Sequence, residues 1–189
     1  MKKFELTSEF NLNFFGRKFF RIKALVNIER YGVKAGDLGG WVEKEDNLSQ
    51  SGNAWVSSNA KVSGDAVVSG DAVVYGNAEV SGGAKVSGDA VVSGDAVVSG
   101  NAVVSGNAKV SGDADYAVIK GFGTVYRPTT FFRCHDGEAR VTCGCFYGTI
   151  DEFREQVKRT RKGKVADEYL KIADLMEYHF KEEDSGENV

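Results

Sequence analysis

From Gly52 the chain reads GNAWVS SNAKVS GDAVVS GDAVVY GNAEVS GGAKVS GDAVVS GDAVVS GNAVVS GNAKVS, ten hexads that end at Ser111 with no insertion. The consensus is a small residue, Asn or Asp, Ala, a variable residue, Val, then Ser or Tyr. Valine returns every six residues from Val56 to Val110, and alanine from Ala54 to Ala108 two places earlier. On a short strand Ala-x-Val points in, out and in. Ser-Gly-Asp/Asn supplies the corner, because these residues accept the backbone angles of a tight turn.

One strand and one corner per six residues fit a triangular coil of three hexads, with like residues stacked in columns about 4.8 Å apart. Each valine contributes roughly 1.5–3 kcal/mol when buried, more than the about 0.5–1 kcal/mol that a corner glycine costs. A disordered glycine-rich chain has no reason to keep strict Ala and Val columns. The calcium-binding nonapeptide helix needs a period of nine and Gly-Gly-x-Gly, and neither is present. The expected fold is therefore mainly β: a parallel β-helix over 52–115, with a β cap (1–51) before it, an α+β domain (116–182) after it and an acidic tail (183–189).

Outside the repeat, Phe20, Ile22, Ala24, Val26 and Ile28 alternate onto one face of a strand, and the glycines around Leu38 and Trp41 suggest a turn laying Trp41 over the first coil. Phe131–Cys134 and Glu138–Phe146 read as a hairpin turning at Asp136-Gly137. Thr149 with Glu152 forms a capping box opening a helix along Ile150, Phe153 and Val157. After Gly163, the residues Val165, Tyr169, Ile172, Met176 and Phe180 form the stripe of a second helix.

Charged residues make up 27% of the chain and the net charge is −3, so the totals call for neither a polyanion partner nor DNA mimicry. Three cysteines, no secretory leader and no transmembrane run suggest a reducing cytoplasm and no membrane partner.

Val-Ser-Gly-Asp-Ala-x resembles the hexapeptide-repeat superfamily, whose members form left-handed parallel β-helices, triangular prisms that often trimerise. Lys34-Ala-Gly-Asp-Leu-Gly-Gly-Trp-Val42, with Asn47-Leu-Ser-Gln50, is similar to a narrower group from bacteria and phages commonly labelled transferases without an established reaction. Thr130–Cys134 followed by Cys143–Phe153 resembles a C-terminal domain of phage and prophage proteins. The resemblance implies a left-handed helix, a homotrimer and a phage setting in the host cytoplasm, where the chain would capture a host protein or a signalling nucleotide as a counter-defence factor.

With three hexads per coil, the outward residues sort into columns: Trp55, Val73, Val91 and Lys109; Lys61, Glu79 and Val97; Val67, Lys85 and Val103. The first is the most apolar and is the expected trimer interface. Acyltransferases of the superfamily use a histidine between subunits, beside a loop extruded from a coil. His135 and His179, the only histidines, lie outside the hexads, and no loop is extruded. An acyltransferase relative, active or decayed, and a structural protein are the alternatives to a binding protein without catalytic residues or cofactor.

Cys134, His135, Cys143 and Cys145 have the residue types of a zinc site, but the expected register puts the three thiols on an apolar face and His135 on the other, favouring buried thiols. Lys158, Arg159, Arg161, Lys162 and Lys164 form a candidate anion site. The competing reading is a solvated helix C-terminus. No aromatics interleave within that segment, so nucleic acid is not the expected partner.

Overall fold

The computed structural model describes residues 2–181, so the acidic tail lies outside the described residues. It opens with β1 (Phe4–Leu12), β2 (Lys18–Ala24) and β3 (Leu38–Val42). Ten two-residue strands follow, one per hexad: β4 (Trp55–Val56), β5 (Lys61–Val62), β6 (Val67–Val68), β7 (Val73–Val74), β8 (Glu79–Val80), β9 (Lys85–Val86), β10 (Val91–Val92), β11 (Val97–Val98), β12 (Val103–Val104) and β13 (Lys109–Val110). The C-terminal unit contains β14 (Tyr116–Ile119), β15 (Thr129–Arg133), β16 (Ala139–Cys143), β17 (Phe146–Thr149), α1 (Ile150–Thr160) and α2 (Gly163–Phe180).

The hexad strands stack as parallel ladders in three sheets, making a β-solenoid. Their orders are β13-β10-β7-β4, β12-β9-β6, and β3-β5-β8-β11 with β2 and β1 continuing it outward. Val91 pairs with Val73 on one side and Lys109 on the other, an 18-residue register that is three hexads long. Every alanine and valine of the inward columns, from Ala54 to Val110, is fully buried. Nine corner glycines have φ between 61° and 74°, and in the one remaining hexad, the second, Ser58 takes the same left-handed conformation at φ 57°. Corners stack closely as well: a Cβ on Gly82 would stand 2.8 Å from the carbonyl oxygen of Gly100.

All these ladders run one way. The N–H of Lys61 donates to Ala78 O, Ser63 to Val80 O and Asp65 to Gly82 O, each seventeen residues on. The first coil is therefore left with carbonyls and the last with amides. The N-terminal cap meets the carbonyls with donors: Trp41 N to Ala60 O, Glu43 N to Val62 O and Ser49 N to Val68 O. Asn47, fully buried, donates through Nδ2 to Gly64 O (3.1 Å) and Ala66 O (2.9 Å). Lys3 Nζ donates to Ala54 O at 2.7 Å, and burial pushes this ammonium down to about 8. At the other end acceptors meet amides: Asp113 takes Val97 N, Thr130 Oγ1 takes Val103 N, and Asp115 takes Ser111 N and Gly112 N.

The two tryptophans exchange their expected places. Trp41 sits above Lys61 on the outer side of the ladder, with the Arg21 guanidinium 4.9 Å from its ring. Trp55 is 2% exposed and belongs to the cluster of Phe4, Ile22 and the inward valines. Gly39 makes room for it, since a Cβ there would be 2.7 Å from Trp55 Cζ2 and 2.6 Å from Ile22 Cγ1. Arg30, on the loop between β2 and β3, bonds both Asp71 and Asp89 of adjacent coils.

The C-terminal hairpin differs from expectation by one residue. Arg133 pairs with Ala139 and Cys134 N donates to Glu138 O, so the turn is the three residues His135-Asp136-Gly137, with Gly137 at φ 82°. The shift exchanges faces, because strand side chains alternate. Phe132 and Cys134 pack against the solenoid, while Phe131 and Val141 face α1 and α2. Thr130 and Thr142, paired across β15 and β16, both grip Val103, the first by accepting its N–H and the second by donating to its carbonyl at 2.9 Å. The sheet thus plugs the solenoid on one side and carries the helices on the other. Thr149 and Glu152 form the expected capping box, and Tyr169, Ile172, Met176 and Phe180 are buried as expected.

Two outcomes follow from these end and corner contacts. Ser58→Gly relieves left-handed strain and should raise stability by about 0.5–1 kcal/mol, whereas Gly82→Ala should lower it, both read by denaturant melts. Between pH 8 and 10.5 the unfolded chain carries a proton on Lys3 that the folded chain lacks, so unfolding is progressively disfavoured as pH rises. Wild type should therefore gain stability relative to Lys3→Met across that window, and a pH-independent difference would refute the assignment.

Candidate functional site

Three groups singled out in the sequence can be followed into the fold. The outward column does form, with Trp55, Val73, Val91 and Lys109 in successive register. Trp55 departs from the expected apolar stripe, because a ring covered within its own chain presents no surface. Val73 and Val91 remain half-buried on the outside and Lys109 is exposed, while Val97 of the second column is 40% exposed.

The thiols separate. Cys134 is buried against the solenoid, Cys143 lies on the helix-facing side where Thr129 Oγ1 donates to its sulfur at 3.2 Å, and Cys145 is exposed in the turn before β17. The one-residue register shift is what divides Cys134 from Cys143, correcting the single apolar face expected for all three. Among the described residues no three His, Cys, Asp or Glu side chains converge as metal ligands would. Burial pushes the Cys134 thiol up to about 11. His135 is exposed at the last coil, where its backbone N–H donates to Asn107 O at 3.1 Å. His179 Nε2 lies 3.1 Å from Ala114 O.

The five cations of 158–164 are all exposed around the α1–α2 turn. Two of them fit the C-terminal dipole of α1: Lys158, which pairs with Glu155, and Arg159, which bonds Gln156. The other three stand at the N-terminal end of α2, where cations are disfavoured. The N-cap there is Lys162, without a side-chain cap bond, and the first turn holds no acid. Lys164 reaches Glu168 at 3.7 Å, while among the described residues the Arg161 guanidinium bonds the carbonyl of Thr160 and no carboxylate.

Against α2 at Tyr169 lies a loop that the sequence did not single out, residues 120–128. Tyr169, on the second turn of α2, donates its hydroxyl to Phe122 O at 3.4 Å. Burial raises the Tyr169 hydroxyl from its ordinary range, and the nearby Arg161 charge opposes that rise. The loop exposes Phe122 (38%) and Tyr126 (64%), and Tyr126 adopts φ 52°. Its local signal was the alternation of glycine with an aromatic residue in Gly121-Phe122-Gly123, but only tertiary contact shows that it meets α2 at Tyr169.

Compared with known proteins, the chain matches no family model and no curated relative. The class that the fold defines is a β-solenoid with a cap at each end. Among the described residues no helix is long and apolar enough to cross a membrane.

The thiol environments have a direct readout. At pH 8 Cys134 holds about a hundredfold less thiolate than a cysteine titrating near 9. Iodoacetamide with peptide mapping should therefore modify Cys145 and leave Cys134 intact until the protein is unfolded. Early labelling of Cys134 would contradict the plug made by β15 and β16.

Proposed function

We propose that this chain is a non-catalytic binding protein. Its hexads wind as a left-handed triangular prism, and three copies associate through the outward column of Val73, Val91 and Lys109. The rigid rod then presents the C-terminal unit to an anionic ligand. The observation that carries the reading is the placement of Arg161, Lys162 and Lys164 at the unacidified, uncapped start of an 18-residue helix. Such a surface repels cations and is neutralised by phosphate or another anion. Supporting it, the coil corners bond to neighbouring coils, for example Asn59 to Asn77 and Asn77 to Asp95, so the aspartates and asparagines there already have a structural role. A counter-defence factor acting in the host cytoplasm, holding a signalling nucleotide or a host protein, is one setting that suits this chemistry.

A second reading, an acyltransferase relative, is favoured by one observation, the exposed His135 held through its backbone N–H at the corner of Asn107. It requires that ring to face a neighbouring subunit across a cleft. His135→Ala would abolish acyl transfer in that case and leave anion binding unchanged in ours.

Native mass spectrometry of the wild type should give a trimer, and the double variant Val73→Lys, Val91→Lys a folded monomer. An unaltered assembly in the variant would place the interface elsewhere. Isothermal titration with tripolyphosphate should detect binding that Arg161→Gln with Lys162→Gln weakens about tenfold. Heat unaffected by both changes would remove the anion site.

A further inference from the structure

The hairpin of the N-terminal cap extends past the strand that supports it. Phe20, opposite Val42, is the residue of β2 closest to the turn that still pairs with β3. Beyond it β1 and β2 hold only each other, Asn11 with Phe19 and Leu12 with Lys18, before the turn at 13–17. Phe19 is buried at the root of this ribbon. At its tip Phe14 is 96% exposed, Phe15 88% and Leu12 61%, the first two being the most exposed large hydrophobic side chains described.

The turn that carries them is hydrogen-bonded within itself. Asn13 Oδ1 accepts the N–H groups of Phe15 and Arg17, Asn13 O accepts that of Gly16, and Asn13 N donates to Arg17 O. Gly16 closes it at φ 77°. The rings of Phe14 and Phe15 meet edge to face with centroids 5.5 Å apart. A fixed turn therefore holds out a convex apolar knob that nothing among the described residues covers.

Shape, charge and backbone together select the partner. A convex knob suits a medium that yields around it, and an edge-to-face pair is no flat platform for a base to stack on. From Phe10 to Ile28 the sequence contains Arg17, Lys18, Arg21 and Lys23 and no Asp or Glu, in a chain whose net charge is −3. Arg17 shares its charge with Glu43 at 3.2 Å. Lys18 Nζ lies 3.8 Å from the Phe10 ring centroid and 4.9 Å from that of Phe20. Lys18 is three residues from Phe15, at most about 10 Å of chain. Apolar groups at a lipid interface sink about 5–10 Å into the boundary between headgroups and acyl chains, so rings at that depth bring Lys18 to the phosphates. Peptide groups entering such a medium need partners of their own, and Asn13 already supplies them to the N–H groups of Phe15, Gly16 and Arg17.

We infer that this tip inserts reversibly into the surface of an anionic phospholipid bilayer, with Phe14, Phe15 and Leu12 at the acyl boundary and Lys18 on the phosphates. Attachment of this kind needs no spanning helix. It goes beyond the anion-binding reading of the α1–α2 turn and does not rest on it, because the two surfaces belong to opposite ends of the chain.

The test is flotation of the full chain with vesicles of equal parts phosphatidylcholine and phosphatidylglycerol, beside vesicles of phosphatidylcholine alone. Wild type should float with the anionic vesicles, bind the neutral ones more weakly, and lose the difference as salt is added. Phe14→Ser with Phe15→Ser should weaken binding about tenfold, since affinity scales with the apolar area inserted. Its thermal melt should match wild type, because both rings are exposed. Lys18→Gln should narrow the preference for the anionic lipid. The fluorescence of Phe14→Trp should be quenched by lipids brominated on their acyl chains beyond any quenching of the wild type, which adsorption through charge alone does not produce. Failure of the wild type to float, or flotation of the double Phe variant as efficient as that of wild type, overturns the inference. If wild type stays off the vesicles and the double variant loses its assembly in native mass spectrometry, the tip contacts a second copy instead. If binding is lost only with Arg161→Gln and Lys162→Gln, the lipid is held by the basic turn and the hairpin has no part in it.

Discussion

The structure depends on one directional interaction, the hydrogen bond from each coil's N–H to the carbonyl of the coil that follows. Because Lys61 donates to Ala78, Ser63 to Val80, and so on down the solenoid, the stack has polarity, with acceptors left over at its start and donors at its end. Such groups are costly when buried without partners, and a short rod has proportionately many of them. The two caps can be understood as answers of opposite sign. Ammonium, amide and backbone donors gather at the first coil, from Lys3, Asn47, Trp41, Glu43 and Ser49, while carboxylates and a hydroxyl gather at the last, from Asp113, Asp115 and Thr130. Exchanging the caps would put like groups against like.

Each cap also closes the hydrophobic interior, and the residues that do so are large where the repeat is small. The inward columns hold only alanine and valine, which fit the narrow coil. At the top the same space is completed by Trp55, Phe4 and Ile22, and at the bottom by Phe132 and Cys134. The closure lets a solenoid of about four turns exist without an open strand edge at its ends, where another chain would otherwise pair.

The hexads made the solenoid legible because one six-residue pattern dictates both the backbone angle at the corner and the side-chain column. The positions of the capping residues were less legible because they depend on single, unrepeated contacts. Trp41 and Trp55 look alike locally, and which of them is covered depends on the close approach of Gly39, a tertiary fact. The hairpin turn misled by one residue because Asp-Gly suits a two-residue turn, yet Gly137 also suits the left-handed position of a three-residue one; packing of Phe132 and Cys134 on the solenoid decides between them. That one residue then divided Cys134 from Cys143. At the candidate site, the basic turn was visible as composition, whereas the docking of the loop 120–128 on α2 depends on one long-range contact, from Tyr169 to the carbonyl of Phe122.

Repetition also constrains where recognition can arise. Along the solenoid each outward side chain has neighbours eighteen residues before and after in nearly the same setting, so a column offers a surface that varies slowly and suits a second copy of itself. A site that distinguishes one ligand needs several unlike groups converging once. Within the hexads the departures are few: Ser58 and Tyr75 lie in adjacent coils of one corner and Gly83 on another. Convergence becomes available where the period stops, after Asp115, and there the chain turns from two-residue strands to a sheet, a glycine-rich loop and two helices. The proposed self-association along the rod and ligand recognition at its end would therefore fall to different parts of the molecule for the same reason, the regularity of the repeat.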